Sequence, residues 1–371
     1  MARRRLGASA CVVEGSVVPG DVVVDDGRVV EVAAWPPGRR GGTACAGFLD
    51  VQVNGLAGVD FGDTDEDGYG HAASVLASTG VTGWLPTLPT SPPDRYPPAL
   101  ALAGAVVRTP PPGARILGVH LEGPFLSERR AGAHPVAHLR APDIDAAAAF
   151  LAAGPVALVT LAPELDGALE LVRYLVGRGV AVSLGHTDCD GLTAHAAFDA
   201  GARAVTHLWN AQRPMTGRDA AVGGAALARG DVFVGVIADL AHVGADTLRV
   251  SAAAAGDRLV VVTDAVWAAG LGEGEHRRPG ASLVVGGGAA RLLDGTLAGG
   301  TGTLDAAVRN LVSVGLPLER AVAAVTEAPA RLLGRADIGR LEPGARADVV
   351  VLDDELEVAQ VLVGGQELPT S

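Results

Sequence analysis

The sequence is short of cysteine: it has three, Cys11, Cys45 and Cys189, and no C-x-x-C pair. An odd number without metal-binding or redox spacing argues against a disulfide framework or a thiolate cluster, and reduced thiols in a cytoplasmic protein are expected. Also missing is any uninterrupted apolar run of the roughly 18 residues that a membrane span needs. The first residues carry Arg3, Arg4 and Arg5, but Glu14 interrupts the apolar stretch behind them and Asp21, Asp25 and Asp26 follow. No secretory core forms there. Positive charge is in deficit, with 42 acidic against 29 basic residues and a net charge of −13. That balance argues against nucleic acid or an anionic membrane as partner, and an anionic substrate would need a locally placed cation. Repeats, low-complexity tails and linkers are absent too. What remains is a chain of 371 residues, 49% hydrophobic and 19% charged. It is long enough for one large barrel or two ordinary domains around a substantial core.

The chain ends read as short strands. Val22-Val23-Val24-Asp25-Asp26-Gly27-Arg28-Val29-Val30 has an Asp-Gly turn between β-branched residues, a hairpin signal. Ala347 to Leu352 and Val361 to Gly365 have the same character. Neither end carries enough apolar surface to fold alone, so residues 1–45 and 336–371 are expected to share a small β-sandwich domain. Between them, apolar β-rich runs near 48–54, 82–88, 115–122, 156–162, 180–186, 203–208, 232–238 and 258–264 alternate with Ala/Leu-rich helical stretches. Near-continuous apolar strands alternating with helices imply a parallel sheet covered on its outer face. Eight of them predict an α/β fold, a (β/α)8 TIM-like barrel over 46–335, with an open doubly wound sheet as the alternative. A hairpin at 281–298 and helices at 303–315 and 318–333 would follow the eighth strand.

In such a barrel, side chains at the C-terminal strand ends converge on one mouth. Those ends carry Gln52 and Asn54, Glu122, His186, His207 and Asp264, and His242 lies just past the seventh strand. A lone histidine there is ordinarily a packed core residue, but six or seven polar groups at strand ends are hard to explain by packing, since each needs a partner to offset desolvation. Glu122, His186 and His207 form an O,N,N set, the pattern of a catalytic metal site with one open position. Gln52 and Asn54 are two apart on a strand, so they face one side. As neutral amides they suit orienting a water or a second shell. Asp264 follows Val260-Val261-Val262-Thr263 and is placed to take and return a proton.

These residues fall in motifs that the chain shares with a known family. Phe48-Leu49-Asp50-Val51-Gln52-Val53-Asn54-Gly55, Gly118-Val119-His120-Leu121-Glu122-Gly123-Pro124-Phe125 and Gly185-His186-Thr187 are three of them. Thr206-His207-Leu208-Trp209-Asn210-Ala211 and Val262-Thr263-Asp264-Ala265 are the others. Over nearly its whole length the sequence resembles the N-acetylglucosamine-6-phosphate deacetylases, a branch of the amidohydrolase superfamily. The resemblance implies that Glu122, His186 and His207 hold a divalent metal and that Asp264 is general base and acid. The reaction implied is hydrolysis of an acetylated amino-sugar phosphate to acetate and glucosamine 6-phosphate by a metal-activated water. Gln52-Val53-Asn54, in place of His-x-His, groups the chain with members that hold mainly one metal, zinc being expected and ferrous iron chemically compatible. The resemblance further assigns His134, Asn210, Ala211, His242 and the segment with Leu297, Ala298 and Gly299 to substrate. Arg218 would reach the phosphate across a homodimer interface.

The chain departs from the family pattern near the pocket. It has Leu240 in Asp239-Leu240-Ala241-His242 where glycine is usual, Gln212 where methionine is usual, Trp267 where a smaller residue is common, and Gly300 where serine is usual. A Gly-to-Leu change alters the backbone if positive φ is required there. These positions bear on the sugar more than on the reaction. An amidohydrolase for another N-acyl sugar or an N-acyl amino acid is the alternative, and a non-catalytic sugar-phosphate sensor is a more distant one.

Overall fold

The computed structural model describes residues 3–370. Its centre is eight parallel strands, each followed in sequence by a helix. The strands are β1 (Phe48–Val53), β2 (Val81–Pro89), β3 (Val119–Glu122), β4 (Val156–Leu161), β5 (Ala181–Leu184), β6 (Ala204–Val205), β7 (Phe233–Ile237) and β8 (Leu259–Val262). The helices are α1 (Glu66–Ser78), α2 (Tyr96–Arg108), α3 (Ile144–Ala153), α4 (Ala168–Val176), α5 (Gly191–Asp199), α6 (Ala221–Ala228), α7 (Ala245–Ala255) and α8 (Leu304–Ser313). Adjacent strands pair in sequence order from β1 to β8. This is the (β/α)8 barrel that the alternation of apolar runs and helices predicts.

No ladder joins β8 to β1. Instead the seam closes just past the strands, where Asp264 N donates to Gln52 O at 3.0 Å and Asn54 N donates to Ala265 O at 2.7 Å. Below it, the buried carboxylate of Asp50 accepts from the Thr263 hydroxyl at 2.5 Å and from the Gln52 amide at 3.2 Å. One side chain thus ties the first strand to the last beneath the residues that face the mouth. Apolar residues of several strands, among them Val51, Leu85, Leu158, Phe233 and Val260, form one buried cluster with Ala328 and Leu332. A larger cluster seals strands against helices.

The two chain ends build a six-stranded sheet in which Thr43–Ala46 lies between Ala10–Val13 and Val349–Leu352. A three-stranded sheet containing the Asp21–Asp25 and Arg28–Ala34 hairpin stands beside it, and Val22, Val24, Val29, Ala44, Val349 and Leu362 share one core.

Two elements differ from the sequence expectation. The hairpin at 281–298 is the middle of a four-stranded antiparallel sheet, Gly274–Arg278, Ala281–Gly286, Ala289–Arg291 and Leu297–Gly300. Its first strand, Gly-Glu-His-Arg-Arg, has no apolar alternation to betray it. The helix expected over 318–333 is two, α9 (Leu318–Val325) and α10 (Glu327–Leu332), broken at Thr326. Pro329 lies three residues on, and its ring excludes a continuous helix through the carbonyl four residues before it. Among the described residues no helix is long and apolar enough to cross a membrane.

Candidate active site

Glu122 is the last residue of β3, and His186 and His207 lie two residues past β5 and β6. Both histidines have left-handed backbone, φ 47° and 30°, as does Asp264 beyond β8 at φ 49°. Non-glycine residues rarely adopt this region, and such strain gathers where a fold must aim side chains at one point. The aim is close. Glu122 Oε1 is 2.9 Å from His207 Nε2 and 3.4 Å from His186 Nε2, and the two Nε2 atoms are 3.1 Å apart. All three side chains are buried.

Gln52 sits directly under this set, its amide donating to Glu122 Oε1 at 3.0 Å and to Asp264 Oδ1 at 2.9 Å. Asn54 Nδ2 donates to the same Asp264 oxygen at 2.7 Å, which leaves Asn54 Oδ1 buried without a hydrogen-bond partner. One row below runs a belt of buried polar side chains. Thr87 Oγ1 is 3.3 Å from His120 Nδ1, and His120 Nε2 is 2.8 Å from Thr160 Oγ1. Thr160 meets Thr206 at 2.8 Å, and Thr206 meets Ser183 at 2.6 Å. Burial pushes the His120 imidazole down to about 4, so it stays neutral with both nitrogens engaged.

The charge distribution follows from burial set against proximity. Burial raises the Glu122 carboxyl, but the adjacent His186 and His207 imidazoles outweigh it and hold the group well below the usual range. Burial disfavours a charged His207, yet the bond to Glu122 prevails and pushes it up to about 9. Asp264, buried and then repelled by Glu122, rises to about 6. A proton thus stands between Glu122 and His207 where several lone pairs converge. His186 Nδ1 lies 2.9 Å from the Arg130 carbonyl, which only a protonated Nδ1 can satisfy, so a neutral His186 turns a lone pair toward His207. Lone pairs meeting around a shared proton are what a divalent cation would replace, and the three ligand atoms lie within 4.8 Å of one another. The donor set fits such an ion.

Above the set is a cavity of about 350 Å3. It gathers most of the residues singled out in the sequence: Asn54, Glu122, His134, His186, His207, Asn210, Ala211, His242, Asp264, Leu297, Ala298 and Gly299 all line it. His134 Nδ1 accepts from the Thr90 backbone N–H at 3.2 Å, which leaves its Nε2–H as the donor toward the cavity. Burial and then the neighbouring His186 push His134 down to about 3. His242 is fixed by Asp239, whose carboxylate lies 2.6 Å from Nδ1. Arg218 is not among the lining residues; it is exposed in the segment between β6 and α6. Leu240 does occupy the left-handed region, at φ 63°. The backbone keeps that conformation with a leucine, at a cost of about 1–2 kcal/mol. Asp239 holds the turn by accepting from the Ala241 and His242 amides at 2.9 and 2.8 Å.

Two contributors escape a reading of the sequence, Asp60 and Thr90, which line the cavity. Trp267, noted in the sequence as a departure near the pocket, lines it as well. Trp267 lies under Arg278, whose guanidinium carbon is 5.4 Å from the ring centroid and which pairs with Asp60 at 2.6 Å. Asp239 has a local signal, three residues before His242, but Asp60 and Thr90 have none.

A (β/α)8 barrel whose mouth presents a carboxylate, two imidazoles and a second, protonatable carboxylate has the architecture of a metal-dependent hydrolase. Residues 113–368 match the model of the amidohydrolase family. Human N-acetylglucosamine-6-phosphate deacetylase is 42% identical over 86% of this chain and 82% of its own length. Escherichia coli O157:H7 N-acetylgalactosamine-6-phosphate deacetylase is 35% identical over 95% of this chain and 96% of its own. A mutant of the Mycobacterium smegmatis N-acetyl-D-glucosamine-6-phosphate deacetylase, in complex with N-acetyl-D-glucosamine-6-phosphate, superposes with a TM-score of 0.94 at 34% identity, covering 100% of both chains. The chain belongs to the amidohydrolase family and, within it, to the N-acetylglucosamine-6-phosphate deacetylases.

Proposed function

We propose that this chain hydrolyses the acetamide of N-acetylglucosamine 6-phosphate to acetate and glucosamine 6-phosphate. The observation that carries the reading is the convergence of Glu122, His186 and His207 within 4.8 Å, next to an Asp264 carboxyl raised to about 6. Glu122, His186 and His207 would hold one divalent ion, zinc by preference for this donor set. When bound, the ion would polarise the acetamide carbonyl and lower the pKa of a water. Asp264 takes the proton from the attacking water and returns it to the departing nitrogen, which its near-neutral basicity favours. Gln52 and Asn54 hold its other oxygen, so the carboxylate cannot rotate away. As amides they are poor ligands, and one ion is therefore the expected load.

The Nε2–H of His134, the Asn210 side chain, the Ala211 backbone, His242 and Leu297 to Gly299 bind the sugar and its substituents. The chain has no lysine, so a side-chain cation that meets the phosphate must be arginine or histidine. Arg218, exposed and outside its own cavity, is then assigned to the phosphate of a neighbouring subunit in a homodimer. The barrel is assigned to 46–335 and the small β-domain to 1–45 with 336–371. A cytoplasmic setting is supported by three buried thiols without disulfide partners.

The test is acetate release from N-acetylglucosamine 6-phosphate, its C4 epimer and unphosphorylated N-acetylglucosamine. The phosphorylated gluco sugar is expected to have the highest kcat/KM. Indifference to the phosphate refutes the substrate reading, and preference for the epimer moves the assignment to the galactosamine series.

A further inference from the structure

We infer that Arg130, Asp188 and Glu164 act together as positioning residues for His186, fixing its tautomer and tying the loop that carries His134 to the metal-binding end of the barrel. The inference rests on the assignment of His186 as a ligand.

The two imidazoles of the site differ in their support. His207 Nδ1 is buried with no hydrogen-bond partner, whereas His186 Nδ1 lies 2.9 Å from the carbonyl of Arg130. That carbonyl belongs to a short turn, Glu128–Arg130, in the loop after β3. The loop is bound to His186 in the reverse sense as well, since Ser127 N donates to His186 O at 3.0 Å. Its backbone lies against the ring: a Cβ added at Gly132 would stand 3.3 Å from His186 Cε1. His134, two residues further on, meets the same ring edge to face at a centroid distance of 4.3 Å.

What keeps the Arg130 carbonyl in place is its own side chain. The guanidinium reaches Asp188 Oδ1 through Nε at 2.8 Å and Nη2 at 2.7 Å. Asp188 is two residues past His186, so the pair closes a ring from ligand to loop and back. Glu164, beyond β4, holds the other side of that segment. It accepts from the Thr187 hydroxyl at 2.5 Å and from the Asp188 N–H at 2.6 Å. A ligand histidine commonly depends on an acceptor at its second nitrogen, and loss of such a partner typically weakens metal affinity 10–100-fold. Here the acceptor is a carbonyl, so its position can be altered only through the residues that brace it.

The experiment measures the Zn2+ dissociation constant by competition with a chromophoric chelator, alongside the melting temperature of the metal-free protein. Arg130→Met and Asp188→Asn are each expected to raise the constant about 10–100-fold, with Arg130→Lys recovering part of the loss. Glu164→Gln, which keeps the volume and one acceptor, is expected to move it in the same direction by less, and it stands in if either other variant fails to fold. A merely structural role would lower the melting temperature without changing the affinity of the folded protein. Affinities within twofold of the parent in folded variants overturn the inference. A parent that binds no Zn2+ refutes the ligand assignment instead, so the two failures are distinguishable.

Discussion

Replacing Asp264 with Asn removes a base while leaving its surroundings in place. Asp264 Oδ1 accepts from Gln52 at 2.9 Å and from Asn54 at 2.7 Å, and an asparagine with its oxygen in that position keeps both bonds. The backbone bond from residue 264 to Gln52 O across the barrel seam does not involve the side chain. The loss is confined to the second oxygen, the one free to take a proton. A positioned general base or acid contributes about 10²–10⁴-fold in rate, which at about 1.36 kcal/mol per decade is about 3–5 kcal/mol of barrier. Burial and the Glu122 charge bring the carboxyl to about 6, which places its basicity near neutral pH, so the upper half of that range is expected. The assay is acetate release at saturating substrate, with metal content measured on the same preparation. KM should change little, and metal content should not change. A kcat within threefold of the parent at full metal content refutes the role.

The same carboxyl sets a pH dependence. A base must be deprotonated, and a carboxyl raised to about 6 gives an acid limb at pH 6 or lower, the lower values applying when a cation sits nearby. Rates that stay constant from pH 7 to 4 contradict this, as does an acid limb that survives in Asp264→Asn. Chelation should abolish turnover and lower the melting temperature, and added Zn2+ should restore both, because an ion bound only by the folded state stabilises it; unchanged melting after chelation would speak against the site. His120→Phe removes two bonds of the belt, to Thr160 at 2.8 Å and to Thr87 at 3.3 Å, while Thr160 keeps Thr206, and urea unfolding should register a loss of about 1–3 kcal/mol for the pair. Equal stability would mean that the polar belt contributes nothing. Trp267→Ala removes a cavity wall and the ring beneath Arg278, so KM should rise with kcat little changed, the pattern of lost ground-state binding. A fall in kcat at constant KM would place Trp267 in the chemistry instead.

Much of the site is legible in the sequence because a barrel converts strand ends into a mouth. Glu122, His186, His207 and Asp264 end or follow apolar runs, and that alone brings them together. Gln52 and Asn54 share a strand face, and their bonds to Asp264 follow from it. What stays hidden is carried by atoms without a sequence signature. The acceptor of His186 is the backbone carbonyl of Arg130, a group that every residue type carries and that no motif marks. Thr87, Thr160, Ser183 and Thr206 read as ordinary strand residues, and only the closed barrel reveals that their hydroxyls link through His120. Asp50 looks like a polar interruption in an apolar run until the seam between β1 and β8 shows that it replaces a missing ladder. Leu240 shows the opposite limit: a residue unsuited to left-handed backbone is held there by Asp239, so the substitution says little about the local conformation.

The most direct measurement is acetate release from N-acetylglucosamine 6-phosphate by protein of known metal content. About one divalent ion per chain is predicted, with acetate and glucosamine 6-phosphate formed in equal amounts and only while the metal is bound. A fully metal-loaded protein that releases no acetate, or a metal-free one that releases it as fast, would contradict the account.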